Sequence, residues 1–204
     1  MLDTAALRRC GIALPAAAEA VIEAGARILQ LRHKNHFTRA VFAEAEAIAR
    51  FCQDAGVLLV VNDRADIARL LGAALHLGQD DLPPASARAI VGPQTPIGFS
   101  THNEDQLRAA DAEPVDYVAL GPIFGTASKQ NPDPVVGIDE LRRLRPLTNR
   151  PLVAIGGITL SNALEAIHAG ADSVAVIGNL LGQAHTPEQL RKRTEEWLQL
   201  TNRH

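Results

Sequence analysis

The segment LLVVNDR at residues 58–64 joins four apolar residues to three polar ones, and it decides the fold that we expect for the rest of the chain. An apolar run of this length with two β-branched members predicts a strand that is buried on both faces. The run stops abruptly at Asn62, so the strand presents polar side chains at its C-terminal tip.

Short apolar segments of this kind alternate with helical patterns along the whole chain. Strands are predicted at residues 28–32, 57–61, 74–77, 97–100, 117–120, 152–155 and 173–177. Helices are predicted at 15–26, 38–55, 65–72, 83–91, 103–111, 138–146, 161–169 and 187–200. Thr38 starts the second of these and Gly56 ends it, and Pro83-Pro84 and Pro187 open the fourth and the last. Asn103 together with Gln106 caps the fifth, and Ser161 caps the seventh. Short strands that alternate with helices predict a parallel sheet.

The count of elements predicts the architecture. There are eight helices but only seven strands, because nothing precedes the first helix except a few residues around Leu2-Asp3. We therefore expect an α/β fold of the TIM (β/α)8 barrel class in a single domain over residues 1–204, with a truncated first strand and a natural start upstream. A doubly wound open sheet is the alternative, although no GxGxxG motif follows an early strand.

The composition excludes several classes of protein. The formal net charge is −3 and aromatic residues make up 3% of the 204 residues, so neither a basic surface for nucleic acid nor stacking platforms for single strands are expected. Cys10 and Cys52 form no CxxC motif, which predicts free thiols in a reducing compartment. No apolar stretch approaches the ~18 residues of a membrane span. We expect a soluble, cytoplasmic protein with small-molecule partners and no nucleic-acid or membrane partner, and homo-oligomerisation stays open.

Two aspartates follow neighbouring predicted strands. Asp63 ends the segment quoted above, and Asp81 ends the segment HLGQDD at residues 76–81. Mg²⁺ is commonly bound by one or two carboxylates together with phosphate oxygens of a substrate, so this pair predicts a magnesium site. The alternative that the spacing leaves open is that both aspartates only cap the helices that follow them.

Other strand tips carry groups suited to phosphate. Gln30, Arg32 and Lys34 alternate with period two, which places them on one side of their strand, and the two cations favour a phosphate or diphosphate. The loop GPIFGTASKQNPDPVVG at residues 121–137 is long for its position and is therefore expected to be functional. Gly156-Gly157 and Ile177-Gly178 follow the last two strands, where barrels of this class often bind phosphate.

The seven histidines do not predict a metal site. No pair has ligand spacing on a shared element, so zinc is not expected. His102 lies at a strand tip, where it could act as an acid or base, but a hydrogen-bonded structural role is favoured.

Six motifs together resemble the thiamine-phosphate synthase family, in its order and nearly its spacing. They are LQLRHK at 29–34, VNDR at 61–64, HLGQDD at 76–81, GFSTH at 98–102, GPIF at 121–124 with Thr126 and Lys129, and AIGGI at 154–158. The family fold is a TIM barrel. The chain departs from the family pattern at Gly125, Ser128 and Gly178, and it lacks one residue near Gly72.

The resemblance implies a transferase that joins a hydroxymethylpyrimidine diphosphate to a thiazole phosphate, giving thiamine phosphate and pyrophosphate. It implies that Asp63 and Asp81 bind Mg²⁺ and that Arg32, Lys34 and Lys129 are catalytic. The substrate-binding residues that it implies are Gln30, Leu31, Arg32, His33, Lys34, Asn62, Ser100, Thr126, Ala127, Ser128, Lys129, Gly157, Ile177 and Gly178.

Two other functions are compatible with parts of this sequence. One is the related thiazole tautomerase, which would use His102 as its acid or base. The other is a barrel without activity that binds a thiazole phosphate and acts through a partner. Retention of a diphosphate and metal site favours the synthase, because neither alternative needs one; its residues are Gln30, Lys34, Asp63, Asp81 and Lys129.

Overall fold

The computed structural model describes residues 1–125, 133–182 and 184–201. Its eight strands follow one another in sequence order in a parallel sheet, with helices between them. The strands are β1 Leu2–Asp3, β2 Ile28–Arg32, β3 Leu58–Asn62, β4 Ala74–Leu77, β5 Ile97–Thr101, β6 Tyr117–Leu120, β7 Leu152–Ile155 and β8 Ser173–Ala175. This confirms the predicted α/β fold of the TIM-barrel class.

Ten α-helices and one 3₁₀ helix (Arg145–Leu147) occur in the described ranges. The α-helices are α1 Thr4–Cys10, α2 Leu14–Glu23, α3 Arg39–Ala55, α4 Ala65–Leu71, α5 Pro84–Val91, α6 Glu104–Ala112, α7 Ile138–Leu144, α8 Ala163–His168, α9 Gly178–Leu181 and α10 Pro187–Thr201. Among them, no helix is long and apolar enough to cross a membrane.

The chain forms two compact units. The first unit runs from Met1 to Ala74 and resumes at Ile177, and the second unit runs from Leu75 to Val176. In the first unit β1, β2 and β3 are paired in parallel, with Leu2 opposite Leu31 and Leu29 opposite Leu59. Helix α2 packs against α3 and α10, which covers this part of the sheet.

The second unit contains β4 from Leu75 onward and the parallel strands β5 to β8. Gly98 of β5 lies opposite Tyr117 of β6, and Ala154 of β7 lies opposite Val174 of β8. All five residues of β5 and all four of β4 are buried, as expected for strands covered on both faces.

Strand β2 shows the alternation that the sequence predicted. Leu29 and Leu31 are each 1% exposed, whereas Gln30 and Arg32 between and beyond them are partly exposed. The packing residues and the polar residues therefore lie on opposite faces of the strand.

Several helix ends were predicted correctly from capping residues. The Thr38 hydroxyl accepts a hydrogen bond from the backbone N–H of Val41, and Gly56 ends α3 in a left-handed conformation at φ 65°. Asn103 caps α6 by accepting from the Gln106 N–H, and the Gln106 side chain accepts in turn from the His102 N–H.

Other predicted elements were wrong or incomplete. Ser161 does not cap α8, because Asn162 precedes the helix and uses its side chain to accept from the Thr159 N–H instead. Helices α1 and α9 were missed, and β8 ends at Ala175, two residues before the predicted end. The first strand is present as the two residues Leu2–Asp3, which are the tip that the sequence indicated.

Candidate active site

Asp3 and Arg32 form an ion pair at the paired tips of β1 and β2. The Arg32 guanidinium donates to Asp3 Oδ2, and both side chains are largely buried, with 17% and 9% exposed. Asp3 Oδ1 also accepts from the Ala6 N–H at 2.8 Å, so the same carboxylate caps α1. One short strand therefore fixes both the first helix and a cation that the sequence assigned to phosphate binding.

Asp63 lies at the centre of a γ-turn directly after β3. Its φ is 67°, the only positive φ among the described non-glycine residues, and the Arg64 N–H donates to the Asn62 carbonyl at 2.9 Å. A γ-turn with positive φ is rare and strained, and strain of this kind clusters at functional sites. The turn directs the Asp63 carboxylate toward Lys34, whose Nζ lies 2.5 Å from Oδ2.

Asn62 completes this cluster. Its side-chain amide donates to Asp63 Oδ1 at 2.5 Å, while Asn62 itself is only 7% exposed. The structure therefore brings together three of the sequence-predicted residues, Asn62, Asp63 and Lys34, within the first unit.

His33 holds the segment that follows β2. Its Nδ1 lies 2.8 Å from the Thr4 hydroxyl and its Nε2 lies 3.2 Å from the His36 carbonyl, which can only accept. The ring also makes an edge contact with Phe37, with centroids 4.9 Å apart. With 4% of its surface exposed, His33 supports the neighbouring Lys34 from within the fold.

Asp81 closes the turn after β4. Its Oδ2 accepts from the Gly78 N–H at 2.7 Å, which leaves Oδ1 without a hydrogen bond from any described residue. Neither Asp63 nor Asp81 caps the following helix, because α4 and α5 begin after Arg64 and Pro83 without a side-chain cap. The capping alternative is therefore wrong for both aspartates.

A largely buried chain of hydrogen bonds links β4, β5 and β6 within the second unit. His76 Nδ1 lies 2.9 Å from the Tyr117 hydroxyl, and His76 Nε2 lies 2.9 Å from the Ser100 hydroxyl. The Gln79 amide donates to the Ser100 carbonyl at 2.6 Å. Burial raises the pKa of the Tyr117 hydroxyl well above its ordinary value, so the phenol stays protonated.

The two glycines after β7 leave room for neighbouring backbone. Gly156 (φ 85°) and Gly157 (φ 66°) both adopt a conformation that favours glycine. A Cβ on Gly156 would lie 2.5 Å from Cβ of Pro122, and one on Gly157 would lie 2.5 Å from the Gly125 carbonyl. The Gly-Gly pair is thus required for the close approach of the segment that follows β6.

Gly178 begins α9, a helix of only four residues, and follows Ile177 in the first unit. The Arg193 guanidinium of α10 donates to the Asn179 carbonyl at 3.2 Å and to its side-chain oxygen at 3.1 Å. This anchors α9 on the last helix of the chain.

His102 has the structural contacts that the sequence favoured. Its Nδ1 lies 2.5 Å from the Gly121 carbonyl, and its Nε2 lies 3.5 Å from Asp133 Oδ2. The ring therefore joins the tip of β5 to the segment after β6.

Four of the predicted substrate-binding residues, Thr126, Ala127, Ser128 and Lys129, lie outside the described residues. Over the ranges that are described, no three His, Cys, Asp or Glu side chains are grouped closely enough to hold a metal ion. Sequence reasoning missed Asp3, His76 and Tyr117. Only His76 carried a signal, since it lies between two leucines at a strand tip.

An α/β fold with eight parallel strands and with charged, amide and hydroxyl side chains at the strand tips defines an enzyme of the TIM-barrel class that acts on small molecules. The model of the thiamine monophosphate synthase family matches residues 5–180. The chain belongs to this family, whose members are transferases.

Individual relatives agree with this assignment. The chain is 49% identical to a thiamine-phosphate synthase of Koribacter versatilis over 184 residues, which are 90% of this chain and 84% of the relative. It is 46% identical to a thiamine-phosphate synthase of Methanoculleus marisnigri over 78% of this chain and 76% of the relative. A solved thiamine phosphate pyrophosphorylase from Pyrococcus furiosus superimposes with a TM-score of 0.83 at 31% identity, covering 96% of this chain and 92% of that one.

Proposed function

We propose that this enzyme condenses 4-amino-2-methyl-5-(diphosphooxymethyl)pyrimidine with 4-methyl-5-(2-phosphooxyethyl)thiazole, giving thiamine phosphate and pyrophosphate. The observation that carries the proposal is the 49% identity to a thiamine-phosphate synthase over 90% of the chain. The free thiols Cys10 and Cys52 support placing the reaction in the cytoplasm.

The diphosphate is assigned to the tips of β2, β3 and β5. Arg32 and Lys34 supply positive charge, and each is already paired with a carboxylate, Asp3 and Asp63 respectively. Gln30, Asn62 and Ser100 supply neutral hydrogen-bonding groups, and Leu31 and His33 lie between the polar residues of the same segment. Lys129 is assigned to the departing pyrophosphate by its place in the family motif.

Mg²⁺ is the proposed cofactor, and Asp63 and Asp81 are its proposed ligands. Both offer carboxylate oxygens, the donors that Mg²⁺ prefers, and Asp81 Oδ1 accepts no hydrogen bond from the described residues. When bound, the ion supplies positive charge against the diphosphate oxygens. Because two carboxylates alone would hold Mg²⁺ weakly, phosphate oxygens of the substrate would strengthen its binding.

The thiazole phosphate is assigned to backbone N–H groups and hydroxyls after β6, β7 and β8. The proposed residues are Thr126, Ala127, Ser128, Gly157, Ile177 and Gly178. The tight packing of Gly157 against the Gly125 carbonyl supports a fixed position for this part of the backbone.

The reaction needs charge stabilisation more than proton transfer. As the C–O bond to pyrophosphate breaks, Arg32, Lys34 and Lys129 neutralise the negative charge that grows on the leaving group. The amino group of the pyrimidine stabilises the cationic methylene, and the thiazole nitrogen attacks it with a lone pair that carries no proton. His102 therefore has no proton to move, in agreement with its structural contacts.

Incubation of the protein with both substrates and Mg²⁺ tests the proposal. Thiamine phosphate and pyrophosphate should form in equal amounts. If thiazole isomerisation is found without thiamine phosphate, the protein is the tautomerase, and if neither reaction is found the barrel has only a binding role.

Two variants sharpen this test. Lys129→Ala should lower kcat by about 10²–10³-fold, because it removes a preorganised stabiliser of the leaving group. His102→Asn should leave synthesis within roughly tenfold, since synthesis asks for no acid or base at that position. The opposite ranking, with an inactive His102 variant and an active Lys129 variant, would identify the tautomerase.

Metal binding has its own test. Calorimetry should detect weak binding of Mg²⁺ to the free protein and much tighter binding when pyrophosphate is present, because phosphate oxygens complete the coordination. The matched variant Asp81→Asn should lose the gain. Equal affinity with and without pyrophosphate would contradict the assignment.

A further inference from the structure

We propose that His76 and Tyr117 are positioning residues for Ser100: the Tyr117 phenol holds the His76 proton on Nε2, which frees the Ser100 hydroxyl to donate a hydrogen bond to the substrate. The inference rests on the proposed function, in which Ser100 contacts the pyrimidine diphosphate. It adds a reason why this serine acts as a donor.

The three side chains form a hydrogen-bonded relay within the second unit. The Tyr117 hydroxyl lies 2.9 Å from His76 Nδ1, and His76 Nε2 lies 2.9 Å from Ser100 Oγ. His76 is 8% exposed and Ser100 is 9% exposed. Each ring nitrogen thus faces a hydroxyl, and the direction of both hydrogen bonds depends on where the imidazole proton lies.

The Tyr117 phenol determines the direction of both hydrogen bonds of the His76 ring. Among the described residues, the Tyr117 hydroxyl has no other hydrogen-bond partner than His76 Nδ1. If Nδ1 carried a proton, the largely buried phenol proton would have no described acceptor, which is costly. The lower-energy arrangement has Tyr117 donating to a bare Nδ1, with the proton of the ring on Nε2.

The consequence reaches Ser100. Because Nε2–H donates to Ser100 Oγ, the single hydroxyl proton of Ser100 is not used by His76 and can be donated elsewhere. Gln79 fixes the backbone of the same residue by donating to the Ser100 carbonyl at 2.6 Å. A fixed hydroxyl that donates suits a diphosphate oxygen or a pyrimidine ring nitrogen, both of which accept.

Gly98 holds the phenol in place. It lies opposite Tyr117 in the pairing of β5 with β6, and any Cβ at position 98 would overlap the Tyr117 ring. The ring is stacked on His76 with centroids 5.6 Å apart at 29°. A glycine in the middle of a strand weakens it, so the space it leaves for the ring is a specific reason for its presence.

The first test reads the tautomer directly. In ¹⁵N NMR of the wild-type protein, His76 should show a protonated Nε2 and a bare Nδ1. His33 is the matched reference, because its Nε2 faces the His36 carbonyl and must donate, which gives the same tautomer by a different contact. A His76 ring protonated at Nδ1 would overturn the proposal. This result does not depend on turnover, so it stands apart from any failure of the proposed function.

The second test asks whether Tyr117 acts through Ser100. Tyr117→Phe should raise the KM for the pyrimidine diphosphate roughly three- to tenfold with little change in kcat, as expected when one ground-state hydrogen bond is lost. In the Ser100→Ala background the same substitution should have no further effect, because the group that it positions is absent.

Gly98→Ala tests the same positioning role independently, because it displaces the Tyr117 ring while the Tyr117 hydroxyl is retained. It should raise the same KM and disturb the His76 spectrum but leave that of His33 unchanged. If Tyr117→Phe raises KM by the same factor with and without the Ser100 hydroxyl, Tyr117 has only a packing role and the proposal is wrong.

Discussion

At the scale of single residues, the positive φ of Asp63 is the clearest sign of local strain. A non-glycine residue in a left-handed conformation costs on the order of 1–2 kcal/mol, which glycine does not incur. We expect Asp63→Gly to be more stable than Asp63→Ala by roughly 1 kcal/mol, because both remove the carboxylate and only glycine relieves the turn. Urea unfolding of the two variants measures the difference.

Asp66 is the matched control for this prediction. It lies in the first turn of α4 with ordinary helical geometry, where glycine is about 1 kcal/mol less favourable than alanine. The order of the glycine and alanine variants should therefore reverse between positions 63 and 66. The same order at both positions would show that Asp63 is not strained.

At the scale of elements, the buried thiol of Cys52 in α3 can be used to measure local opening of that helix. Cys52 is 2% exposed, and burial raises its pKa from 9.0 to about 11. Its thiolate fraction near pH 8 is then roughly 100-fold below that of an ordinary thiol, and only the thiolate reacts. A thiol reagent should label Cys10 first, and the Cys52 rate should keep rising with pH up to about 11.

The single-cysteine variants Cys10→Ser and Cys52→Ser separate the two rates. Low urea should accelerate labelling of Cys52 more than that of Cys10, because the packed side of α3 has to open. Rapid labelling of Cys52 in native buffer would contradict the burial of that side.

The elements that the sequence predicted well are those set by local chemistry. Helix α3 has a cap at Thr38 and a terminating Gly56, and the buried strands are continuous apolar runs. Helix α9 could not be predicted because it has only four residues, too few for a periodic pattern. Helix α1 was missed because it begins directly after a strand of two residues, with no loop between them to mark its start. The cap of α1 is Asp3, whose ion-pair partner Arg32 is 29 residues away along the chain.

In the candidate site too, the sequence predicts what local residues determine and misses what distant contacts determine. Residue types and motif positions pointed to Asn62, Asp63 and Lys34, and the structure brings them together. The partners of Ser100 were not predictable, because His76 and Tyr117 are 24 and 17 residues away along the chain and meet it only through strand pairing and side-chain packing. Sequence patterns identify a polar strand tip, but not the hydrogen bonds that orient it.

At the scale of the whole molecule, we propose that residues 1–204 fold as a single domain, and the chain carries a natural pair of probes for this. It has one tryptophan and one tyrosine. Trp197 belongs to the first unit and Tyr117 to the second. A single domain should unfold in urea with coincident transitions for Trp197 fluorescence and for ¹⁹F NMR of fluorotyrosine at position 117. Two separated midpoints would show that the units unfold independently.

The overlap between Gly98 and the Tyr117 ring has a consequence for natural variation among the relatives. The two positions compete for one volume, so a tyrosine at 117 requires a glycine at 98, and the pair should change together. Relatives with a larger residue at 98 should carry a smaller one at 117 and would need another donor for the histidine. Covariation of positions 98 and 117 among the relatives would then indicate in which of them a phenol keeps the ring proton of this histidine on Nε2.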